Sequence, residues 1–496
     1  MSSTISFKNY PATNRTHGVF AEINPQESGG AQNQRTLILG QKVAGGTAPP
    51  NLAFLATGLN DAKVQLGAGS MLALMYEQYL GQDTFGETWL APQVDPAAAV
   101  AATATVTFAG TATASGAISL RIAGVLEPLS VASGTAAAAI ATGWAAVVNA
   151  DKNCPVSATV AGAVVTLTAD NAGVVGNEID VRANYLGSAG GEITPPGLTV
   201  TISSAQLTGG IGSPSTDVGT TLTNLGDKSF DFIVCPYTDA TTLATLLAFL
   251  NSTTGRWSWQ SQIYGHVFLA YRGTAAALTT FGNGRNEFTA SCMGFYDSPT
   301  PAWLWAADLA GACATSLRAD PGLPLQELVL NVLPPPIASR FILSVRNTLL
   351  YDGLSTFVVS DAGVVTIDRM QTFYQFDASG APDTTWENTE TPFMVVDLTR
   401  DMRNQLQTSY GRKKLVVDGT NIAGGSNMVT SQTILATVLA IYKGWCTTGR
   451  AQNYALFKAG ARAENAGGGR VNLLLPFVLD DQLRAIVMSI SFIANS

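Results

Sequence analysis

The stretch from Ser229 to Gly255 constrains the fold most, because it joins a short apolar run to an amphipathic helix pattern. Phe230–Cys235 has the length of a buried strand, and Asp239 is a residue type that caps helix N-termini. One helix face then follows with leucines at positions 243, 246, 247 and 250. A buried strand followed by such a helix is half of a βαβ unit, so the middle of the chain is predicted to be an α/β core.

The same strand-then-helix pattern occurs at other places in the chain. Each pair predicts a further piece of the α/β core. The pairs are His266–Tyr271 with Thr274–Phe281 and Phe288–Phe295 with Pro301–Leu317. A short strand at Arg35–Gly40 and a helix at Gly69–Leu80 are predicted separately.

The composition changes at Pro92 and stays different to about Ile211, where Ala, Thr, Val and Gly dominate. Alternating strand patterns surround one helix pattern at 135–149. Glycines supply the turns between them. Because the chain must leave the core and return to it, we interpret this region as an inserted β-rich domain.

The carboxyl-terminal region is predicted to be helical and then β. Met394–Ser409 and Thr430–Trp445 have helical spacing, and Arg484–Ala494 has strong strand propensity. The predicted fold class is α+β multidomain, with a mixed α/β core built from N- and C-terminal parts and extended terminal arms. The predicted units are an N-terminal arm (1–35), a first core part (36–91), the insertion (92–211), an α/β middle domain (212–390), a C-terminal core (391–483) and a C-terminal arm strand (484–496).

The net charge of −8 is unevenly distributed along the chain. Residues 397–496 contain 11 Lys+Arg and 6 Asp+Glu, a net +5, which leaves −13 for the rest. A basic end on an acidic chain predicts an acidic partner surface; the alternative is scattered, solvated charge. A direct nucleic-acid partner is not favoured, because the basic cluster Arg412-Lys413-Lys414 has no aromatic residues beside it.

The low content of charged residues and the spacing of the cysteines indicate what class of protein this is. Charged residues are only 12% of the chain and hydrophobic ones 46%, which favours a subunit that buries surface in an assembly. The five widely spaced cysteines are predicted to be reduced core residues. Neither a secretory signal nor a membrane-spanning run of 18 apolar residues is found in the sequence, so membrane insertion is not expected.

Catalytic and metal-binding motifs are not found in the sequence. Walker, complete dinucleotide-binding, nucleophile-elbow and zinc-ligand patterns are all missing, and the chain has only two histidines. We therefore expect a structural protein rather than an enzyme, without cofactor or metal. The strand at 484–494 is expected to complete the sheet of a neighbouring subunit; the alternative is pairing inside its own subunit.

Three short motifs occur in an order that resembles the contractile-tail sheath proteins of the Mu-like phage type. They are GNEIDVR at 176–182, LTGG at 207–210 and CPYTD at 235–239. The resemblance implies a viral structural protein that polymerises with itself, as a helix or stacked rings, around an inner tail tube. It also implies baseplate and tail terminator partners, and a place in the virion tail after assembly in the bacterial cytoplasm.

The resemblance further implies a mechanism and site residues. The sheath would store energy in its extended state, then contract and drive the tube through the host envelope to deliver the genome. The insertion would face outward, so its deletion should spare polymerisation. The implied inter-subunit residues are Ile486, Met488, Ile490, Phe492 and Ile493 in the C-terminal arm and Ile5 and Phe7 in the N-terminal arm. Charge adds Lys443, Arg450, Lys458 and Arg462 as residues facing the tube.

Other functions remain open at the level of sequence. The same architecture could serve the sheath of a phage-derived contractile injection particle. An adhesive or binding surface protein with β-rich modules is a second alternative. An α/β enzyme whose site is built from loops is a third.

Overall fold

The structure is a computed structural model and describes residues 34–423 and 426–492. Its helices are α1 (Leu59–Leu66), α2 (Met71–Leu80), α3 (Ala137–Ala150), α4 (Ser215–Asn224), α5 (Ala240–Leu250), α6 (Ala275–Asn283), α7 (Ala302–Ala319), α8 (Leu343–Tyr351), α9 (Glu390–Tyr410), α10 (Ser431–Thr448) and α11 (Tyr454–Gly460). Its strands are β1 (Thr36–Gln41), β2 (Phe54–Leu55), β3 (Thr88–Gln93), β4 (Thr103–Gly110), β5 (Gly116–Ile122), β6 (Val125–Val131), β7 (Val156–Ala161), β8 (Val164–Ala169), β9 (Val181–Ala183), β10 (Leu198–Ile202), β11 (Phe232–Val234), β12 (His266–Arg272), β13 (Ala290–Phe295), β14 (Val329–Leu330), β15 (Thr356–Val359), β16 (Val365–Arg369), β17 (Lys414–Leu415), β18 (Met428–Val429), β19 (Arg462–Gly467) and β20 (Arg470–Leu474).

A six-stranded sheet with the order β13-β12-β11-β1-β3-β2 forms the main core. Its strands are parallel except β2, which runs antiparallel to β3. Every residue of β1 and β13 is buried, the pattern of parallel strands covered on both faces. The predicted mixed α/β class is confirmed.

Local sequence explains where the core helices begin. Asp239 accepts a hydrogen bond from the backbone N–H of Thr242 at 2.9 Å, as predicted for the cap of α5. Leu243, Leu246 and Leu250 are buried on one face of that helix. Ser70 and Thr274 cap α2 and α6 in the same way.

The main sheet takes all six strands from residues 36–93 and 232–295. The C-terminal region instead has a second hydrophobic cluster around Tyr442, Trp445 and Phe457. Helix α9 joins the two: its Phe393 stacks on Phe232 of the main sheet, with ring centroids 5.2 Å apart, and Leu398 lies in the second cluster. The expected core of N- and C-terminal parts is therefore a sheet of N-terminal and middle strands, which the C-terminal region contacts through α9 and through the residues around Arg484.

The region between β3 and α4 contains two antiparallel sheets. One has the order β10-β4-β8-β7 and the other β6-β5-β9. Helix α3 packs on strands of both, and the indole of its fully buried Trp144 donates to the carbonyl of Glu127 at 3.1 Å. Strand β6 is not predicted from the sequence, because it contains Glu127 and Pro128.

This inserted region shares its hydrophobic core with the main sheet. Met71 and Trp303 of the main core line the same small internal space as Pro155, Val175 and Ile179 of the insertion. Buried residues of both regions belong to one continuous cluster. Deleting the insertion would therefore uncover apolar surface of the main core.

Candidate functional site: the C-terminal segment and its attachment

The C-terminal segment, residues 475–492, first crosses the second hydrophobic cluster. The ring of Phe477 lies 5.5 Å from that of Trp445 and 6.0 Å from that of Phe457. The backbone N–H of Val478 donates to the hydroxyl of Tyr442 at 2.9 Å. These contacts hold the beginning of the segment on the body of its own subunit.

The last polar attachment of the segment is at Arg484. Its guanidinium donates to the carboxylate of Glu390 at 2.9 Å, and the two side chains are 19% and 0% exposed. The carbonyl of Leu483 accepts from the amide of Gln326 at 3.2 Å. The chain is therefore fixed up to Arg484.

Residues 485–492 lie beyond this attachment and are solvent-exposed. Apolar side chains here are 75–93% exposed: Ile486, Val487, Met488, Ile490 and Phe492. The predicted strand Arg484–Ala494 is not a strand over its described residues, because no strand within residues 34–423 and 426–492 lies beside it. Residues 485–492 therefore pair with no strand of the described chain, and Ile493 lies outside the described residues.

The hairpin of β19 and β20 is a two-stranded sheet of its own. Side chains on one face, such as Ala463 and Leu473, are half-buried, while those on the other face are exposed. Its turn, Gly467–Gly469, has positive φ at all three glycines, a conformation that other residues adopt only with strain. A two-stranded sheet is marginally stable alone and leaves unpaired backbone groups at its edges, so it can accept a further strand. The sequence predicts an apolar run at 471–479 but misses β19, which is rich in Ala, Asn and Gly.

The four basic residues chosen by charge have different surroundings. Lys443, Lys458 and Arg462 are exposed and have no ion-pair partner within the described chain. Arg450 forms ion pairs with Asp397 at 2.6 Å and Asp401 at 2.7 Å. Its charge is neutralised inside the subunit, so it offers no free cation to a partner.

The N-terminal residues Ile5 and Phe7 lie outside the described residues. The described chain starts at Gln34, whose carbonyl accepts a hydrogen bond from Arg318 at 3.0 Å. The guanidinium of Arg318 also donates to the hydroxyl of Thr36 at 2.9 Å and forms an ion pair with Asp83. The start of β1 is thus held at the end of α7.

The crevice at the carboxyl ends of β1 and β11 is where open parallel sheets usually bind ligands, because the chain reverses its strand order there. Here the chain fills the crevice itself. The amide of Gln41 donates to Asp95 at 2.5 Å, and the carbonyl of Lys42 accepts from Asn171 of the insertion at 3.1 Å. This crevice is therefore occupied by protein side chains.

His266 and Ser291 are the one pair that resembles a catalytic arrangement among the described residues. The imidazole Nε2 lies 2.8 Å from the hydroxyl of Ser291. Both side chains are buried, and the imidazole packs between Phe268 and Phe393. Burial lowers the pKa of His266 to about 3, so the pair is a neutral core contact that a substrate cannot reach.

The described residues also show neither a membrane-crossing helix nor a metal-binding cluster. Among them, helices that are long enough to cross a membrane are insufficiently apolar. Groups of three or more His, Cys, Asp or Glu side chains placed to hold a metal ion are missing from the same residues. All five cysteines are free thiols, and all except Cys446 are buried.

Comparison with known proteins identifies the family. Residues 209–372 match the family described as phage tail sheath protein central domain. The Mu-like prophage FluMu tail sheath protein of Haemophilus influenzae is 34% identical over 495 residues, which is 99% of this chain and 100% of that protein. The chain belongs to the phage tail sheath protein family. The resemblance to Mu-like sheaths is thereby confirmed, and this sheath protein is a structural component of a contractile tail or a related particle.

Solved structures share the fold of this sheath protein at low sequence identity. The sheath complex of an extracellular contractile injection system, PVC, in its contracted state has a TM-score of 0.51 at 8% identity and covers 98% of each chain. The anti-feeding prophage baseplate in its contracted state has a TM-score of 0.50 at 9% identity, covering 97% of this chain and 98% of that one. The sheath fold therefore extends over nearly the whole chain.

Proposed function

We propose that this sheath protein polymerises around an inner tail tube and that each subunit lends its C-terminal segment to a neighbour. The observation that carries the proposal is the exposed apolar run at 485–492, which follows a firmly attached Arg484. Exposed apolar surface of this kind is costly in water and marks an interaction site.

The hairpin of β19 and β20 is the acceptor that we propose for this segment. Residues 485–492 reach about 26 Å when extended, enough to run along the hairpin of a neighbouring copy. Main-chain hydrogen bonds would supply affinity, and alternating apolar side chains would supply specificity. The same molecule then carries a donor and an acceptor, which produces an open, head-to-tail polymer.

The identity of the family supports the mechanism that we propose, and this mechanism needs no bond-making chemistry. Energy would be stored in the interfaces between subunits of the extended sheath. Contraction would exchange these interfaces for more stable ones while the exchanged strands keep the subunits connected, and it would drive the tube through the host envelope. We place baseplate and tail terminator proteins at the two ends of the polymer, in a virion tail assembled in the bacterial cytoplasm.

Contact with the tube is proposed for the three exposed cations Lys443, Lys458 and Arg462. All three lie on α10, α11 and the adjoining start of β19, within the basic C-terminal region. The segment 431–474 contains five basic residues and one acidic residue, and Arg450 is the one whose charge is paired. An acidic tube surface would be attracted to this region, more strongly at low ionic strength.

Negative-stain microscopy of the full-length protein and of a chain ending at Arg484 tests the proposal. We expect tubes or rings from the full chain, with the tube protein added where nucleation requires it, and none from the shortened chain. Polymers of equal abundance from both would exclude the role of the segment. Monomers from both, even with tube and baseplate proteins present, would exclude self-assembly by this route.

A further inference from the structure

Glu390 occupies an unusual position at the start of α9. Its side chain is fully buried, and its carboxylate accepts from the guanidinium of Arg484 at 2.9 Å and from the backbone N–H of Leu325 at 2.7 Å. Both donors reach the same oxygen, Oε1, while Oε2 has no hydrogen-bond partner among the described residues. A buried carboxylate needs its partners, so the two donors must remain in place together. Glu390 therefore connects the root of the C-terminal segment, residues 480–484, to the connector that follows α7.

Together, the last two residues of α7 and the connector that follows it, residues 318–325, reach from this point to the start of the described chain. At the other end of this stretch, the guanidinium of Arg318 donates to the carbonyl of Gln34 at 3.0 Å and to the hydroxyl of Thr36 at 2.9 Å. Pro321 and Pro324 restrict the backbone between the two ends, and the side chain of Asp320 accepts from the N–H of Gly322 at 2.8 Å. The first described residue, Gln34, and the attachment of Arg484 are therefore joined by one short, restrained piece of chain.

The remaining contacts at the root of the segment are longer than the pair of Glu390 and Arg484. The carbonyl of Leu483 accepts from the amide of Gln326 at 3.2 Å. The amide of Gln482 lies 3.3 Å from the sulfur of Met394. The guanidinium of Arg484 lies 3.4 Å from the side-chain oxygen of Asn388 and 3.5 Å from that of Gln326. Asp480 lies near Asp320, a contact between like charges; burial, Asp320 and Asp481 together raise its pKa. The pair of Glu390 and Arg484 is thus the strong contact at this root.

We infer that Glu390 is a positioning residue: it fixes the point and direction in which the C-terminal segment leaves its subunit, at a set distance from Gln34. The inference rests on the proposed use of this segment between subunits. A segment with a fixed root binds its acceptor with less loss of conformational freedom than one that is loose from residue 480 onward.

Trypsin cleavage of dilute, unassembled full-length protein tests the anchor directly. In the native protein the guanidinium of Arg484 is engaged, so removal of residues 485–496 should be slow. Glu390→Gln should raise the rate of this cleavage about tenfold or more, the factor expected when an interaction of about 1.4 kcal/mol is lost. Glu77→Gln is the matched control, because Glu77 of α2 forms a partly exposed ion pair with Lys63 of α1, away from Arg484, and the change should leave the cleavage rate unchanged.

Polymer assembly by the same variants tests the positioning role. Glu390→Gln should raise the critical concentration for assembly about tenfold at a temperature where the variant remains folded. Arg484→Gln serves as a second variant in case Glu390→Gln does not fold, and Arg484→Lys should restore part of the native behaviour. Native critical concentrations for the folded variants would overturn the inference, whether or not trypsin cleavage is faster.

The chain ending at Arg484 separates this inference from the proposed function. If that chain assembles like the full-length protein, the segment has no role between subunits and the proposed function fails. If it does not assemble but Glu390→Gln and Arg484→Gln assemble normally, the proposed function stands and the positioning role of Glu390 is wrong.

Discussion

At the scale of single residues, local interactions are predictable from sequence and distant ones are not. The predicted helix cap at Asp239 is confirmed, because the residue and the helix that it caps are adjacent in the chain. Charge alone places Arg450 with three other basic residues as a contact to the tube. Its ion-pair partners, Asp397 and Asp401, lie about fifty residues earlier, so the sequence does not reveal them. Their four-residue spacing on a helix is the one signal that could have suggested a shared binding face.

His266 supports a prediction about pH at this scale. Its pKa is about 3 in the folded state and near 6.5 when unfolded, so the unfolded chain takes up a proton first as pH falls. Stability should therefore decrease by about 2 kcal/mol between pH 7 and pH 5. Thermal melts of His266→Gln should show a smaller loss of Tm over this interval than the native protein.

The matched control for this measurement is Ser291→Ala. This variant removes the hydrogen bond at 2.8 Å but leaves the buried imidazole able to titrate. Its Tm should be lower at pH 7, while the loss between pH 7 and pH 5 stays close to native. An unchanged pH dependence in His266→Gln would show that other groups cause it.

At the scale of elements, the sequence predicts the strand–helix pairs of the main core, because buried parallel strands have continuous apolar runs and their helices have periodic ones. It fails for β19, whose polar residues form a strand only because β20 and α10 lie beside them. It also predicts a strand at 484–494 from propensity, whereas a strand additionally needs a partner to pair with.

The C-terminal segment carries a prediction at the element scale. In an extended chain, the side chains of Ile486, Met488, Ile490 and Phe492 point to one face, and Val487 points to the other. Ile490→Ser should raise the critical concentration for assembly about tenfold or more, because burial of this side chain contributes about 2–3 kcal/mol. Val487→Ser is the matched control and should have a smaller effect in sedimentation of polymers. Equal effects would exclude binding as an alternating strand.

At the scale of the whole molecule, composition predicts an insertion from 92 to 211, but not how firmly it is attached. Arg272, at the end of β12, donates to the carboxylate of Glu178 at 2.8 Å and to the carbonyls of Ser298 and Thr300 at 2.6 and 3.0 Å. These partners are distant in sequence, so composition cannot reveal them. The insertion is attached to the carboxyl ends of the main strands by charge as well as by the shared core.

Arg272→Gln should loosen this attachment. Loss of one partner from a mostly buried ion pair leaves the carboxylate and two carbonyls unsatisfied, at a local cost of about 3 kcal/mol. Hydrogen exchange of residues 174–183 should become markedly faster, while that of β13 stays slow. Arg346→Gln is the control, since its ion pair with Asp368 lies away from the insertion. Native exchange at 174–183 in Arg272→Gln would contradict a charge-dependent attachment.

The C-terminal segment and the hairpin that we propose as its acceptor are separate parts of one subunit. This separation has a consequence for mixtures of full-length and shortened chains. A chain cut after Arg484 keeps the hairpin of β19 and β20 but has no segment to lend. Under the proposed pairing it would join a growing row of subunits and then stop it, as a chain terminator does. With one shortened subunit in ten, rows should average about ten subunits, because each addition has that chance of ending growth. Partial cleavage after Arg484 would therefore shorten the polymers in proportion to the fraction of cut subunits.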